Sequence, residues 1–228
     1  MITVLPVEGM PEVHPGDEIA DLIAASIALE KGDVVVVTQK IVSKAEGRLE
    51  EVADDEGRLR LIERESVRVL RRRDELVISE TQQGFVCANA GVDLSNVDDG
   101  VAALLPVDSD RSARHIRDAL AARTGVGVAV VVSDTFGRPW RRGLVDVALG
   151  CAGVAAIVDL RGTEDTRGRT LQATEVAIAD ELASAAELVM GKDRQVPVAI
   201  VRGVDPSWLR ESSVHSEIVR PHNEDLFR

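Results

Sequence analysis

Lysine is nearly absent from this 228-residue chain. Of 27 cationic side chains only Lys31, Lys40, Lys44 and Lys192 are lysines, and 39 acidic residues bring the net charge to −12. Coating nucleic acid or an anionic membrane needs a basic footprint, which this balance disfavours. An acidic, lysine-poor surface suits a salt-rich cytoplasm and a halophilic origin, because at molar salt the Debye length falls to ~3 Å and self-repulsion is screened. An ordinary acidic protein from a GC-rich genome has the same composition. In either case, a lysine kept here is less readily dismissed as surface filler.

Cysteine is scarce as well. Cys87 and Cys151 stand singly among apolar or small neighbours, without CxxC or Cys/His spacing, and read as buried small hydrophobes. The four histidines (His14, His115, His215, His222) form no HxxxH pair, so none is assigned to a metal. No apolar run approaches the ~20 residues that span a bilayer. The N-terminal MITVLPVEGM lacks the basic start and continuous apolar region of a signal peptide, and a cytoplasmic location is expected. There is no GxxxxGK(S/T) and no GxGxxG after a strand, so a nucleotide must be held by some other arrangement. No internal repeat and no long linker divides the chain.

What is present has the composition of a globular protein, 45% hydrophobic and 29% charged. Strands are expected at Met1–Val7, at the β-branched run Asp33–Thr38, at Leu76–Ile78 and Gly84–Ala88, at Val126–Val132, and at Val196–Val201. Helices are expected from Asp17, a candidate cap, to Leu29, and over Leu59–Arg73, Arg111–Arg123 and Thr174–Val189. Acidic residues 50–56 and the Gly/Thr/Arg-rich residues 161–169 read as loops. Residues from Pro206 onward form a polar, charged tail. The mixture lacks clean βαβ alternation and points to an α+β fold.

Two oxygen-rich segments stand out. In Val128–Gly143 (VAVVVSDTFGRPWRRG) an apolar strand runs into Ser133, Asp134 and Thr135, then into a turn carrying Arg138, Arg141 and Arg142. A carboxylate and a hydroxyl at a strand's rim suit Mg²⁺ or Mn²⁺, and guanidinium groups suit phosphate or carboxylate oxygens. In Asn89–Asn96 (NAGVDLSN), Asp93 lies between two amides. Alone that is common turn chemistry; paired with Asp134 and Thr135 it can hold one or two divalent ions against a nucleotide's phosphates. Lys44 follows an apolar strand and is either a phosphate contact or a solvated helical lysine. Trp140 beside Arg141 and Arg142 is either part of an anion clamp or the core anchor of a surface loop.

Six segments in order, PVEGMP (Pro6–Pro11), SKAEGR (Ser43–Arg48), NAGVDLSN, SDTFGRPWRRG, TEVAIADELASAAELVMG (Thr174–Gly191) and VPVAIVRG (Val196–Gly203), give the chain a resemblance to the coenzyme F420-0:L-glutamate ligase family along essentially its whole length. The resemblance implies one domain of two intertwined lobes, without the fused nitroreductase-like domain of some bacterial relatives, and a homodimer with sites near the subunit interface. It implies a GTP-dependent ligase acting on a deazaflavin precursor and L-glutamate through an acyl phosphate, with two divalent ions (Mg²⁺ or Mn²⁺) and K⁺ as a further expected cation. By motif match, Asp93 and Asp134 hold the first ion and Thr135 contributes to the second. Met10, Pro11, Glu12 and Val13, with Gln39, Lys40, Lys44 and Asn96, contact GTP, and the Met190–Gly191–Lys192 loop approaches it. Arg141 and Arg142 are candidates for a substrate clamp on their chemistry alone, apart from the motif match.

The chain departs from the family pattern twice. Lys192-Asp193-Arg194 stands where relatives carry a Glu and extra glycines, leaving Asp193 as a substitute metal ligand. Gln39-Lys40 replaces smaller hydroxyl residues. Two rival readings use the same residues: a metal-dependent phosphohydrolase with water as acceptor, and a nucleotide-binding protein without turnover.

Overall fold

Four consecutive valines, Val34 to Val37, are fully buried, and they form the middle of a sheet that is apolar on both faces. The computed structural model describes residues 1–226. In chain order the elements are β1 (Thr3–Pro6), α1 (Ile19–Ser26), β2 (Val34–Thr38), α2 (Gln39–Ala45), β3 (Leu49–Glu51), α3 (Asp55–Glu65), β4 (Ser66–Arg73), β5 (Leu76–Thr81), β6 (Val86–Ala88) and β7 (Val101–Ala103). They continue with α4 (Ser109–Thr124), β8 (Ala129–Arg138), β9 (Arg141–Ala152), β10 (Val158–Asp159), β11 (Glu175–Val176), α5 (Ile178–Met190), β12 (Val198–Arg202) and α6 (Val214–Glu217). Parallel and antiparallel pairings with helices on the sheet faces make this an α+β fold, as expected from the sequence.

The main sheet has the order β1-β12-β2-β8-β9, with β2 and β8 parallel and the other pairs antiparallel. Strand alternation divides its side chains between two cores. Val34, Val36, Ala129, Val131, Ala199 and Val201 pack under α5. Val35, Val37, Val130, Val132, Val198 and Ile200 pack with residues of α1, α2 and α4. Residues 49–104 build a third, smaller core around Leu61, Ile62, Val92 and Leu104, beside the β3-β7 and β4-β5-β6 sheets.

Helix α4 lies so close to β9 that a Cβ at Gly150 would stand 2.2 Å from the Ser109 backbone carbon; the helix start requires a glycine there. From that first turn the buried Asp110 carboxylate accepts the N–H groups of Cys151 (2.9 Å), Val214 (2.9 Å) and His215 (3.0 Å), pinning the C-terminal segment to β9. The tail from Pro206 is therefore not merely polar: Val214 is fully buried. Burial pushes the Cys87 and Cys151 thiols up to about 12, as expected of inert core residues. Among the described residues no helix is long and apolar enough to cross a membrane.

Four local expectations are corrected. Asp17 does not cap α1; Glu18 is the cap residue, and Asp17 accepts the His14 N–H (2.7 Å) in the turn before it. Residues 50–56 are not all loop, since Glu50 and Glu51 lie in β3 and α3 starts at Asp55, capped by the Asp54 carboxylate on the Gly57 N–H. The expected helix over 59–73 ends at Glu65. Ser66 to Arg73 is strand β4, because pairing with β5 and the β-branched Val67 and Val69 outweigh the helix-like charge pattern. Arg71 to Arg73 thus end a strand, not a helix. The fourth correction concerns the arginine turn.

Candidate active site

The sheet's pairing gathers the expected site segments at one rim. Thr38, the last residue of β2, pairs with Ser133 midway along β8, so α2 begins beside Asp134. Pro6 pairs with Ala199 and Val198 with Val37, which brings the loop after β1 and the loop before β12 to the same edge. Residues 10–13, 39–44, 133–135 and 190–197 are therefore neighbours, although nearly 190 positions separate the first from the last. Asp93 bridges to Ala103 at the base of the smaller core and reaches the rim through Lys40.

Three of the four lysines end here. Lys40 Nζ donates to Asp93 Oδ2 (2.5 Å), to the Ser95 carbonyl (2.5 Å) and to the Ser95 hydroxyl (2.6 Å). The other Asp93 oxygen accepts the Ser95 N–H (2.8 Å). Burial works against charge on Asp93, but the Lys40 and Ser95 hydrogen bonds outweigh it and hold the carboxyl below its usual value. Lys44 pairs with Glu12, tying α2 to the loop after β1. Lys192, just past α5, donates to the Thr135 hydroxyl.

Asp134 sits on the opposite strand face from Ser133 and Thr135. Its half-buried carboxyl is pushed up to about 7, chiefly by burial, with the Asp93 and Asp146 charges adding to the effect; the Thr135 backbone N–H and Lys192 oppose it. Asp146, which sequence reasoning passed over, is 1% exposed and lies across from Thr135 on β9. Its oxygens accept from Ser133 Oγ (3.0 Å) and Thr135 Oγ1 (2.5 Å). The available signal was a single acid inside the otherwise apolar stretch Leu144–Ala156. Buried acids are rare unless they have partners.

Other expected residues separate into groups. Gln39 is buried, and its amide donates to Ser43 Oγ (2.6 Å) and the Leu104 carbonyl (3.0 Å), so its side chain braces α2 from below. Asn96 lies beyond Ser95 with a left-handed backbone (φ 51°). Met10 and the loop after α5 border a cleft of about 610 Å³, together with Glu8, Gly9, Arg194 and Gln195. Val13 is buried in the core beneath. Asp193 is exposed.

The arginine turn does not follow Thr135 directly. Strand β8 runs on to Arg138 and reverses at Pro139 and Trp140, so Arg141 opens β9 at the tip of a hairpin. Arg138 lies four positions beyond Asp134 along the strand, roughly 13 Å. The reason is that Phe136 and Gly137 keep pairing with Val145 and Leu144, and the turn waits for Pro139 and for Trp140 in a left-handed conformation (φ 59°). Trp140 is 85% exposed and is no core anchor. Arg141 and Arg142 are exposed on that tip and do not close over the acids of their own chain.

Among the described residues, no three His, Cys, Asp or Glu side chains converge tightly enough to hold a metal by themselves. The donor set still fits a hard cation that keeps water and phosphate ligands, the manner in which Mg²⁺ binds one or two carboxylates. Asp134 offers a partly desolvated carboxyl close to two further acids, whose charges oppose its ionisation. A cation there would relieve that repulsion.

The sequence profile of the F420-0:Gamma-glutamyl ligase family matches residues 9–203. Curated relatives named coenzyme F420:L-glutamate ligase include that of Methanothermobacter thermautotrophicus, 45% identical over 249 aligned residues covering all of this chain and 99% of the relative. That of Methanopyrus kandleri is 42% identical with the same coverage. That of Archaeoglobus fulgidus is 39% identical over 243 residues, covering all of this chain and 96% of the relative. With a family match over most of its length and full-length relatives at this identity, the chain belongs to the F420-0:Gamma-glutamyl ligase family.

Proposed function

We propose that this enzyme joins L-glutamate to the lactyl carboxylate of coenzyme F420-0, and then a second glutamate through a γ-linkage, at the expense of GTP. The observation that carries the reading is the meeting of Asp93, Asp134, Lys40, Lys44 and Lys192 at one sheet rim, beside the cleft bordered by Met10. A carboxylate is a poor acyl donor. Its oxygen attacks the γ-phosphorus of GTP, GDP leaves, and the resulting acyl phosphate is attacked at carbon by the glutamate amine. Phosphate departs and the amine loses a proton, leaving an amide. Chemistry of this kind needs positioning and charge neutralisation more than a nucleophilic side chain.

Asp93 and Asp134 would hold a divalent ion, Mg²⁺ or Mn²⁺, whose chemistry is to draw charge from the phosphate oxygens. Lys44 supplies a point charge to a phosphate, and the loop of Met10, Pro11 and Glu12, anchored by buried Val13, encloses the nucleotide with the Met190–Gly191 turn. K⁺ serves as a monovalent partner, and the acidic surface favours activity in concentrated KCl. The exposed hairpin tip with Trp140, Arg141 and Arg142 supports a homodimer in which the tip of one protomer reaches the site of its partner.

The acyl-phosphate route is tested with ¹⁸O in the F420-0 lactyl carboxylate. One ¹⁸O per turnover should appear in the released phosphate. Unlabelled phosphate, released equally well without glutamate, would instead indicate a phosphohydrolase.

A further inference from the structure

Lys40 and Lys44 each donate to a carboxylate, whereas the hydrogen bond of Lys192 goes to a hydroxyl. Thr135 Oγ1 gives its proton to Asp146 Oδ1 (2.5 Å), leaving its lone pairs as the part of the hydroxyl that a cation can use, and Lys192 Nζ donates to them. The same ammonium is 4.0 Å from Asp146 Oδ1. Its charge also bears on Asp134 and on Glu187. Among the described residues, no other cation pairs with Asp146, which is buried beneath it.

The backbone sets the direction of this lysine. Helix α5 ends at Gly191, whose φ of 63° is a conformation that favours glycine, and the reversal turns Lys192 back toward β8. The Gly191 position is also tight, since a Cβ added there would meet the Arg194 side chain at 3.2 Å.

We propose that the Lys192 ammonium is the second cation of this site, seated at the Thr135 position, so that each chain takes up one divalent ion and not two. The inference rests on the metal-assisted reading above. Two metal ions that clamp a transferring phosphoryl group stand ~3.5–4 Å apart. An ion on Thr135 would therefore contend with an ammonium for the same oxygen. A lysine in that place supplies a fixed positive charge to phosphate oxygens and needs no metal to do so.

The test is a count of bound Mn²⁺ by equilibrium dialysis at saturating non-hydrolysable GTP analogue, on the full chain. Wild type should bind one Mn²⁺ per chain, Lys192→Arg should also bind one, and Lys192→Glu should bind two. The Lys192 side chain is 61% exposed, so both variants should stay folded, and the melting temperature is recorded alongside. Two ions on wild type would overturn the proposal, as would Lys192→Glu staying at one. No Mn²⁺ on wild type would instead overturn the metal-assisted reading on which it rests.

Discussion

Lys40 Nζ lies 2.5 Å from Asp93 Oδ2, and through that contact the first turn of α2 holds the turn that leaves the smaller core. The lysine side chain is largely buried, and the same ammonium takes both Ser95 oxygens. Removing it strands a partly desolvated carboxylate. Lys40→Met should lower stability by about 1–3 kcal/mol, read as the urea midpoint, and Lys40→Arg should recover part of the loss. An unchanged midpoint in Lys40→Met would show the pair to be incidental.

Asp134 gives a pH dependence with a definite sign. Its folded carboxyl titrates at about 7, against about 3.9 in an unfolded chain, because burial and its acidic neighbours oppose the charge. Between those values the folded protein holds the extra proton, so this group's contribution is fully present below about pH 4 and is lost as pH rises to about 7. In metal-free, nucleotide-free protein, Asp134→Asn should therefore gain stability relative to wild type across that window and keep the gain at pH 8. Ligation should fall roughly 10²-fold or more. Retained activity would remove Asp134 from the site.

Asp146 holds the two hydroxyls of β8 in place. Asp146→Ala leaves Ser133 and Thr135 without their acceptor in a buried position, a loss of about 1–3 kcal/mol. The variant should melt several degrees lower and lose activity, whereas Asp146→Asn should keep more of the stability than of the activity. Equal losses of stability in the two variants would show that the hydroxyl contacts contribute little.

Gly150 tests the fold apart from the site. A methyl at this position meets the Ser109 backbone at 2.2 Å, and neither element can yield without disturbing the Asp110 pin. Gly150→Ala should cost about 1–3 kcal/mol or more, measured by thermal melting. A neutral substitution would mean that α4 sits farther from β9 than described.

The strands of the main sheet were legible because their residues bury both faces, and runs such as Val34–Val37 have few alternatives. The acids Asp93 and Asp134 and lysine Lys44 could be named because oxygen-rich turns and rare lysines stand out in the composition. Three things were not legible. The length of the β8–β9 hairpin depends on cross-strand pairing, which residues 133–143 alone do not reveal. Asp146 needs β8 opposite it before its purpose shows, since its partners are 11 and 13 positions away. The roles of Lys40 and Lys192 depend on loops brought together by the sheet order, with Lys192 reaching Thr135 across 57 positions. Residues 66–73 misread as helix because an exposed, arginine-rich strand lacks the alternation that signals burial.

The most direct test of the central claim is mass spectrometry of coenzyme F420-0 after incubation with the enzyme, L-glutamate, Mn²⁺ or Mg²⁺ and GTP in concentrated KCl, with GDP counted in parallel. The predicted result is a gain of one or two glutamyl units with one GDP per unit and none when GTP is omitted. GDP release without any gain in mass, or a gain that does not require GTP, would contradict it.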